Sequence, residues 1–505
     1  MINLPGQLEK ISRLHPNQQA IVYRDEQISY QELNLRVNKF AEGLLSLGVK
    51  QGDRVLICMF NCPEFVISYY AVLRINATVV PVNPGYTAAE LSVILKDCSP
   101  SAIITSSIFW PKFQSLKNSL GPKTKFILTE SAAETTEAIP FNKLITQNEP
   151  AVNKYRYSGE EVVELLYTSG TTGEPKGVML THKNLFSNVS TIAKMLKMEK
   201  DDRVLLVAPA YHSAAQTGCM NNAIYSGATL IIHNRWQGAK SVLETIEKEK
   251  ITMFFGPPIF YALICHYPQC RDFDLSSLRL VLTGAAPLPE HVFKKFKELF
   301  ELEIIEGYGL SEASPVVSLT PPYGLKKSGS VGLPIEGVKV TIIDDSGAEL
   351  PRGRVGEIAV KGPNVMKGYY NKVEETKKAL HNGWLRTGDL GYLDEDGYIF
   401  VVDRKKDLII KGGVNIYPRE IEKVLNSHHD VLETAVVGVP DSLHGEEIKA
   451  FIVTKSGQNI DPGKLKGFCI GKIANFKIPK YFQFVKELPK NSAGKVLKRE
   501  LVKNI

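Results

Sequence analysis

A layered α/β protein with two unequal globular units is what the order of sequence patterns predicts. Helix-spaced apolar runs alternate with short apolar strands through most of the first four hundred residues, the pattern of largely parallel sheets covered by helices. From Gly337 to Gly362 the chain turns β-branched, with turn signals at Asp345-Ser346-Gly347 and Pro351-Arg352-Gly353, which predicts a small antiparallel or barrel-like β region. Near residue 404 the pattern changes again, to a compact α+β unit of about a hundred residues, an ordinary size for an independent small domain. The expected division is therefore 1–403 and 404–505. The hinge is placed in the charged tetrapeptide Arg404-Lys405-Lys406-Asp407.

The elements follow in order. Apolar residues at Leu33, Val37, Phe40, Ala41, Leu44 and Leu45 recur at helical spacing, predicting a helix over Tyr30 to Leu47. Short apolar strands are expected at Arg54–Cys58, Ala102–Thr105, Lys125–Leu128, Val204–Val207 and Thr229–Ile232. Phe65 to Val82, interrupted by Arg74 and Asn76, is too short and too broken for a membrane span of about 20 residues and reads as a buried helix running into a strand. In the last hundred residues Gly397–Asp403 reads as a strand and Pro418–Leu425 as a helix. Strands follow at Glu433–Val439 and Lys449–Val453.

Composition excludes a disordered or fibrous chain: 44% of the 505 residues are hydrophobic and 23% charged. At this length a net charge of +7 is no argument for nucleic acid, and it suits an anionic small substrate or a membrane surface equally well. Seven scattered cysteines lack paired zinc-ligand spacing and read as reduced thiols of a cytoplasmic protein. The start, MINLPGQLEK, has neither the basic nor the apolar region of a signal peptide. A monomer and a homodimer are both compatible with the sequence.

The strongest chemical signal is the run Tyr167-Thr168-Ser169-Gly170-Thr171-Thr172-Gly173-Glu174-Pro175-Lys176-Gly177, fed by the apolar residues Leu165 and Leu166. Glycines let backbone N–H groups approach an anion, the hydroxyls add donors, and Lys176 adds charge. This is a phosphate-binding loop, and a helix is expected to follow it near Thr181. It is not a Walker A loop, because Pro175 stands where the lysine of that pattern belongs.

The run resembles the signature of the adenylate-forming superfamily, which includes acyl-CoA synthetases, 4-coumarate–CoA ligases, firefly luciferase and the adenylation domains of peptide synthetases. Further blocks in the expected order extend the resemblance over nearly the whole chain. Gly284, Ala285 and Ala286, in LTGAAPL, are similar to the family's adenine loop. The block Glu306-Gly307-Tyr308-Gly309-Leu310-Ser311-Glu312 resembles the one that binds adenine, α-phosphate and metal, with Glu306 and Ser311 where Gln and Thr are usual. Asp389, in WLRTGD, and Arg404 match the ribose contacts, and Lys406 the hinge position. Lys411, Gly412 and Gly413 match the stretch lining the pantetheine tunnel, and Lys495 matches the adenylation lysine.

The resemblance implies an AMP-forming ligase using ATP, Mg²⁺ and CoA on a carboxylic acid. Thr168 and Glu312 would hold the metal, and Lys495 would bridge carboxylate and α-phosphate. His212 would line or gate the acyl pocket with Tyr211, Gln216, Gly284, Gly307, Gly309, Pro315 and Val316. No Asp between Ala208 and Gln216 offers itself to an amino group, so an amino acid substrate is not expected. A medium- or long-chain fatty acid is the first expectation. The alternatives are an aryl acid such as coumarate or benzoate, and an acyl-AMP ligase loading a carrier protein, which would carry an insertion that this chain lacks. A luciferase-like oxygenase has nothing in its favour. An inactive ATP-binding module is at odds with the joint presence of Thr168, Glu312, Asp389, Arg404 and Lys495.

Overall fold

The computed structural model describes residues 3–121, 123–130, 137–149, 157–169, 175–455, 457, 460–490 and 496–502. Two large sheets dominate. The first has eight strands, and its centre is parallel: Val162–Ser169, Thr78–Pro81, Arg54–Cys58, Ala102–Thr105 and Lys125–Leu128. The second has nine, with Thr229–Ile232, Arg203–Leu206, Met253–Phe255, Leu280–Thr283 and Ile304–Gly309 in parallel. Buried on both faces, these strands read as continuous runs of Val, Ile and Leu, as parallel strands do. The helix Tyr30–Ser46 buries Leu33, Val37, Phe40, Ala41 and Leu44, and Ser29 caps it by accepting from the N–H of Glu32. Pro63–Arg74 is a buried helix running into the strand Thr78–Pro81.

Asn61, 2% exposed, ties the two sheets together. Its amide donates to the carbonyls of Ala208 and His233 at 3.1 Å, and its Oδ1 accepts from the N–H of Ala210 at 2.8 Å. A third, five-stranded antiparallel sheet holds Lys339–Ile343, Gly356–Lys361, Leu380–His381, Trp384–Leu393 and Ile399–Arg404. This is the expected small β region, extended further down the chain than its composition suggested.

The small domain has its own five-stranded sheet and its own core around Ile409, Ile421, Leu425, Val436, Ile448 and Ile452. The long hairpin Val431–Asp441 and Gly445–Thr454 forms its spine. One expectation needs correction. The helix His182–Met195 begins where expected, but Pro175, Lys176 and Gly177 are not loop: Pro175–Thr181 is a strand antiparallel to Val162–Ser169. Residues Pro175, Lys176 and Gly177 looked like loop punctuation, but pairing with Ser169, Thr168 and Tyr167 draws them into a hairpin. All seven cysteines are free. Among the described residues no helix is long and apolar enough to cross a membrane.

Candidate active site

Ligands of open α/β sheets bind beyond the carboxyl ends of the strands. Three strands of this chain carry expected site residues at that end, with Thr168 at the close of one, Gly284 just past the second and Gly309 ending the third. Ser169 ends its strand, and Gly170, Thr171, Thr172 and Gly173 lie outside the described residues, as does Lys495. Their flanks are in register: Ser169 pairs with Pro175, and Lys490 with Val496.

The block expected to hold the ribose is formed by strand pairing. Asp389 and Arg404 are register partners on neighbouring antiparallel strands, so their side chains share one face. Arg404 Nε lies 2.7 Å from Asp389 Oδ1, and the Tyr308 hydroxyl donates to Asp389 Oδ2 at 2.7 Å. Asp389 is only 4% exposed. Burial works against the charge of Arg404, but Asp389 first, then Tyr308 and Glu312, outweigh it and strengthen its hold on the proton. Burial, and then the charge of Asp389, push the Tyr308 phenol well above its ordinary range, so it stays a donor. Gly388, at φ +70°, makes the kink before Asp389, a conformation that a side chain would strain.

A second knot forms around Glu312. Its Oε1 accepts from the Tyr369 hydroxyl at 2.9 Å, and Lys176 Nζ sits 5.3 Å from the centre of the Tyr369 ring. The strand pairing of Tyr369 with Val178 places that phenol beside the phosphate hairpin. A carboxylate has more acceptor capacity than one phenol uses, and it and the Thr168 hydroxyl are each oxygen donors of the kind Mg²⁺ prefers. Thr168 and Glu312 therefore fit the metal.

The segments expected at the adenine are built from small residues. A Cβ on Gly284 would lie 3.1 Å from the carbonyl of Gly307, so the two segments touch backbone to backbone. Ala285 takes φ +67°, a strained conformation of the sort that concentrates at ligand clamps. Gly309 admits no side chain at all, since its Cβ would stand 2.1 Å from the carbonyl of Pro315. Burial lifts Glu306 to about 7, and the backbone of Leu288 pulls the other way.

On the acyl side, His212 and Tyr211 have ring centroids 4.9 Å apart, and burial drives the imidazole down to about 4, so it is neutral at pH 7. Ser213 Oγ lies 3.4 Å from Ser311 Oγ, and Thr217 donates to the carbonyl of Ser314 at 3.2 Å. This packs the helical segment after His212 against the Glu312 turn. Gln216 is 1% exposed, and its amide lies beside the buried Glu164 carboxyl. The Lys411–Gly413 turn makes its polar contacts inside the small domain. Lys411 pairs with Glu447 at 2.5 Å, and the N–H of Gly412 donates to the carbonyl of His444 at 2.8 Å.

Sequence reasoning missed two members. Tyr369 gave no signal, because its partner is 57 residues away. Glu357 gathers Arg386 at 2.8 Å, Lys405 at 3.2 Å and the N–H of Gly388 at 3.1 Å, and so braces the ribose block from behind. A lone acid in the apolar strand Gly356–Lys361 was the available clue.

With this geometry in place, comparison with known proteins is informative. Residues 8–370 match the family model described as AMP-binding enzyme, and residues 420–495 match the AMP-binding enzyme C-terminal domain. A long-chain-fatty-acid–CoA ligase of Bacillus subtilis (strain 168) is 39% identical over 96% of this chain and 92% of its own length. A feruloyl-CoA synthase of an Amycolatopsis species is 36% identical over 97% and 96%. The o-succinylbenzoate coenzyme A synthetase of B. subtilis, solved with ATP and magnesium ion, superposes with a TM-score of 0.86 at 30% identity, covering 98% of each chain.

Proposed function

We propose that this chain, which belongs to the AMP-binding enzyme family and is an ATP-dependent acid–CoA ligase using Mg²⁺, acts on a medium- or long-chain fatty acid. The observation that carries the choice of acid is an acyl side without a counter-charge. His212 is neutral, and the neighbouring Tyr211, Ala214, Gly284, Gly307 and Pro315 carry no charge. The segment also leaves room: a Cβ added at Gly218 would meet no heavy atom within 4 Å, and Ala214 lies one helical turn before it. Such a wall suits a flexible alkyl chain, whose burial contributes roughly 0.8 kcal/mol per methylene. A phenylpropanoid acid is the second reading, favoured by the paired rings of Tyr211 and His212 and by the feruloyl-CoA synthase relative.

In the first half-reaction a carboxylate oxygen attacks the α-phosphorus, the new P–O bond forms, and pyrophosphate leaves. The acid is already ionised at neutral pH and needs no base. The residues therefore position and neutralise. Asp389, with Arg404, would hold the ribose hydroxyls. Gly284, Ala285, Ala286 and Tyr308 would flank the adenine. Ser169–Gly173 and Lys176 would cradle the phosphates, and Lys495 would meet the charge that builds between carboxylate and phosphate. In the second half-reaction the CoA thiol attacks the acyl carbon and AMP leaves. The small domain would turn about Lys406, withdrawing Lys495 and bringing Lys411, Gly412 and Gly413 to the thiol.

Pyrophosphate release, followed with saturated acids of eight to eighteen carbons and with coumarate, ferulate and benzoate, tests the choice of acid. Higher kcat/KM for an alkyl acid is the expected result, and the highest value for an aryl acid would replace it with the second reading.

A further inference from the structure

The small domain's first helix, Pro418–Asn426, begins without a cap of its own. Its N-cap residue is Tyr417, whose side chain makes no capping bond, and Pro418 follows at the first helical position. Exposed N–H groups at a helix start want an acceptor, and an anion there also meets the positive end of the helix dipole. The acceptor comes from elsewhere. Asp403, on the strand Ile399–Arg404, accepts from the N–H of Arg419 at 2.8 Å through Oδ2 and from the N–H of Arg404 at 2.7 Å through Oδ1. Arg419 is the second helical residue, the position that a local Asp or Ser cap would serve. Asp403 is 1% exposed, so its charge is committed to these bonds.

The two ends of this contact lie on opposite sides of the proposed pivot. Arg404 is fixed to Asp389, and Lys405 to Glu357 and Asp345 at 3.2 and 2.7 Å, so both belong to the large domain. A rotation about Lys406 would leave Asp403 in place and carry the N–H of Arg419 away. In the present pose the Lys411–Gly413 turn is not docked for the thiol step: its neighbours Ile410 and Val414 are 52% and 47% exposed, and its polar contacts stay inside the small domain.

We propose that Asp403 is a positioning residue that caps a small-domain helix only in the adenylate-forming pose, and so biases the enzyme toward its first half-reaction. This rests on the two-step, one-pivot reading above. The bond is made while the Lys411–Gly413 turn is undocked and must break before the thiol step, so it sets the balance between the halves without touching substrate.

The test compares half-reactions and separates a pose contact from a plain helix cap. Asp403→Ala should slow adenylate formation, read as pyrophosphate release without CoA, by roughly fivefold or more, the size of a lost cap. Thioester formation from supplied acyl adenylate and CoA should be unchanged or faster. A second variant, Asp403→Ala with Tyr417→Asp, gives the helix a local cap. It should recover melting temperature and keep the imbalance. Equal slowing of both halves, no slowing, or return of the wild-type ratio in the double variant would each overturn the proposal. Backbone amide exchange over residues 417–421 of the unmodified enzyme gives an answer that needs no turnover. Protection should fall on adding CoA with a non-hydrolysable decanoyl-sulfamoyl adenosine, relative to ATP alone, and equal protection would overturn the proposal. Failure of the parent reading shows separately, as absence of acid-dependent pyrophosphate release in the wild type.

Discussion

The proposed nucleotide side and the proposed acyl side of the site are built on opposite principles. On the nucleotide side, charges are paired before any ligand arrives: Asp389 with Arg404 and Tyr308, Glu312 with Tyr369, and Glu357 with Arg386 and Lys405. On the acyl side the groups are neutral and small, with His212 held uncharged and the segment beyond it open at Gly218. A ligand common to a whole family can be met by fixed, preorganised dipoles and charges, which need no rearrangement during reaction. A ligand that differs between relatives is met by space, and space is set by which side chains are absent.

Four substitutions sharpen or break that contrast. Lys495→Ala should lower the rate of adenylate formation by roughly a hundredfold or more while ATP still binds, as loss of a transition-state charge contact does. Rapid-quench kinetics would show it, and a near-wild-type rate would remove that lysine from the mechanism. Asp389→Ala leaves the half-buried Arg404 and Tyr308 without their partner. The KM for ATP should rise by roughly ten- to a hundredfold, with little change in the KM for the acid. A rise confined to the acid would mean that the two sides are not separable. Gly218→Phe should act the other way, lowering kcat/KM for long acids by about tenfold and sparing short ones, with the KM for ATP unaltered. Uniform loss over all chain lengths would mean that the alkyl chain does not reach this wall.

The smallest effect concerns Glu164, fully buried on the strand that ends at Ser169. Burial raises it from 4.5 to about 8, and the nearby Gln216 amide and Tyr69 hydroxyl offset this only partly. Between these values the unfolded chain gives up the proton while the folded chain keeps it. Stability therefore falls as pH rises from about 4.5 to about 8. Glu164→Gln should flatten that slope and stabilise the large domain at pH 8 by on the order of a few kcal/mol. Calorimetric melting from pH 5 to 8 reads it, and parallel slopes for the two proteins would refute it.

Much of this was legible in the sequence because chemistry common to a family is written in short contiguous strings. The hydroxyl–glycine run, EGYGLSE and DRKKD each put their polar residues beside a strand end, WLRTGD puts its own within the strand Trp384–Leu393, and local periodicity placed the strands Arg54–Cys58, Ala102–Thr105, Lys125–Leu128 and Thr229–Ile232. What stayed hidden depends on pairing between distant segments. Tyr369 meets Glu312, Glu357 meets Arg386, and Asp403 meets Arg419 only once strands are in register. The strand Pro175–Thr181 was missed for the same reason. Its Pro-Lys-Gly start reads locally as a loop, and the ladder to Val162–Ser169 overrides that preference.

The central claim, that these strand ends form one pocket where an acid meets ATP, is tested most directly by capturing the intermediate. Wild-type protein mixed with ATP, Mg²⁺ and an alkyl acid, without CoA, should yield enzyme-bound acyl adenylate in step with pyrophosphate, close to one per chain, by quenched-flow mass spectrometry. ADP as product, or pyrophosphate release that does not depend on the acid, would contradict it.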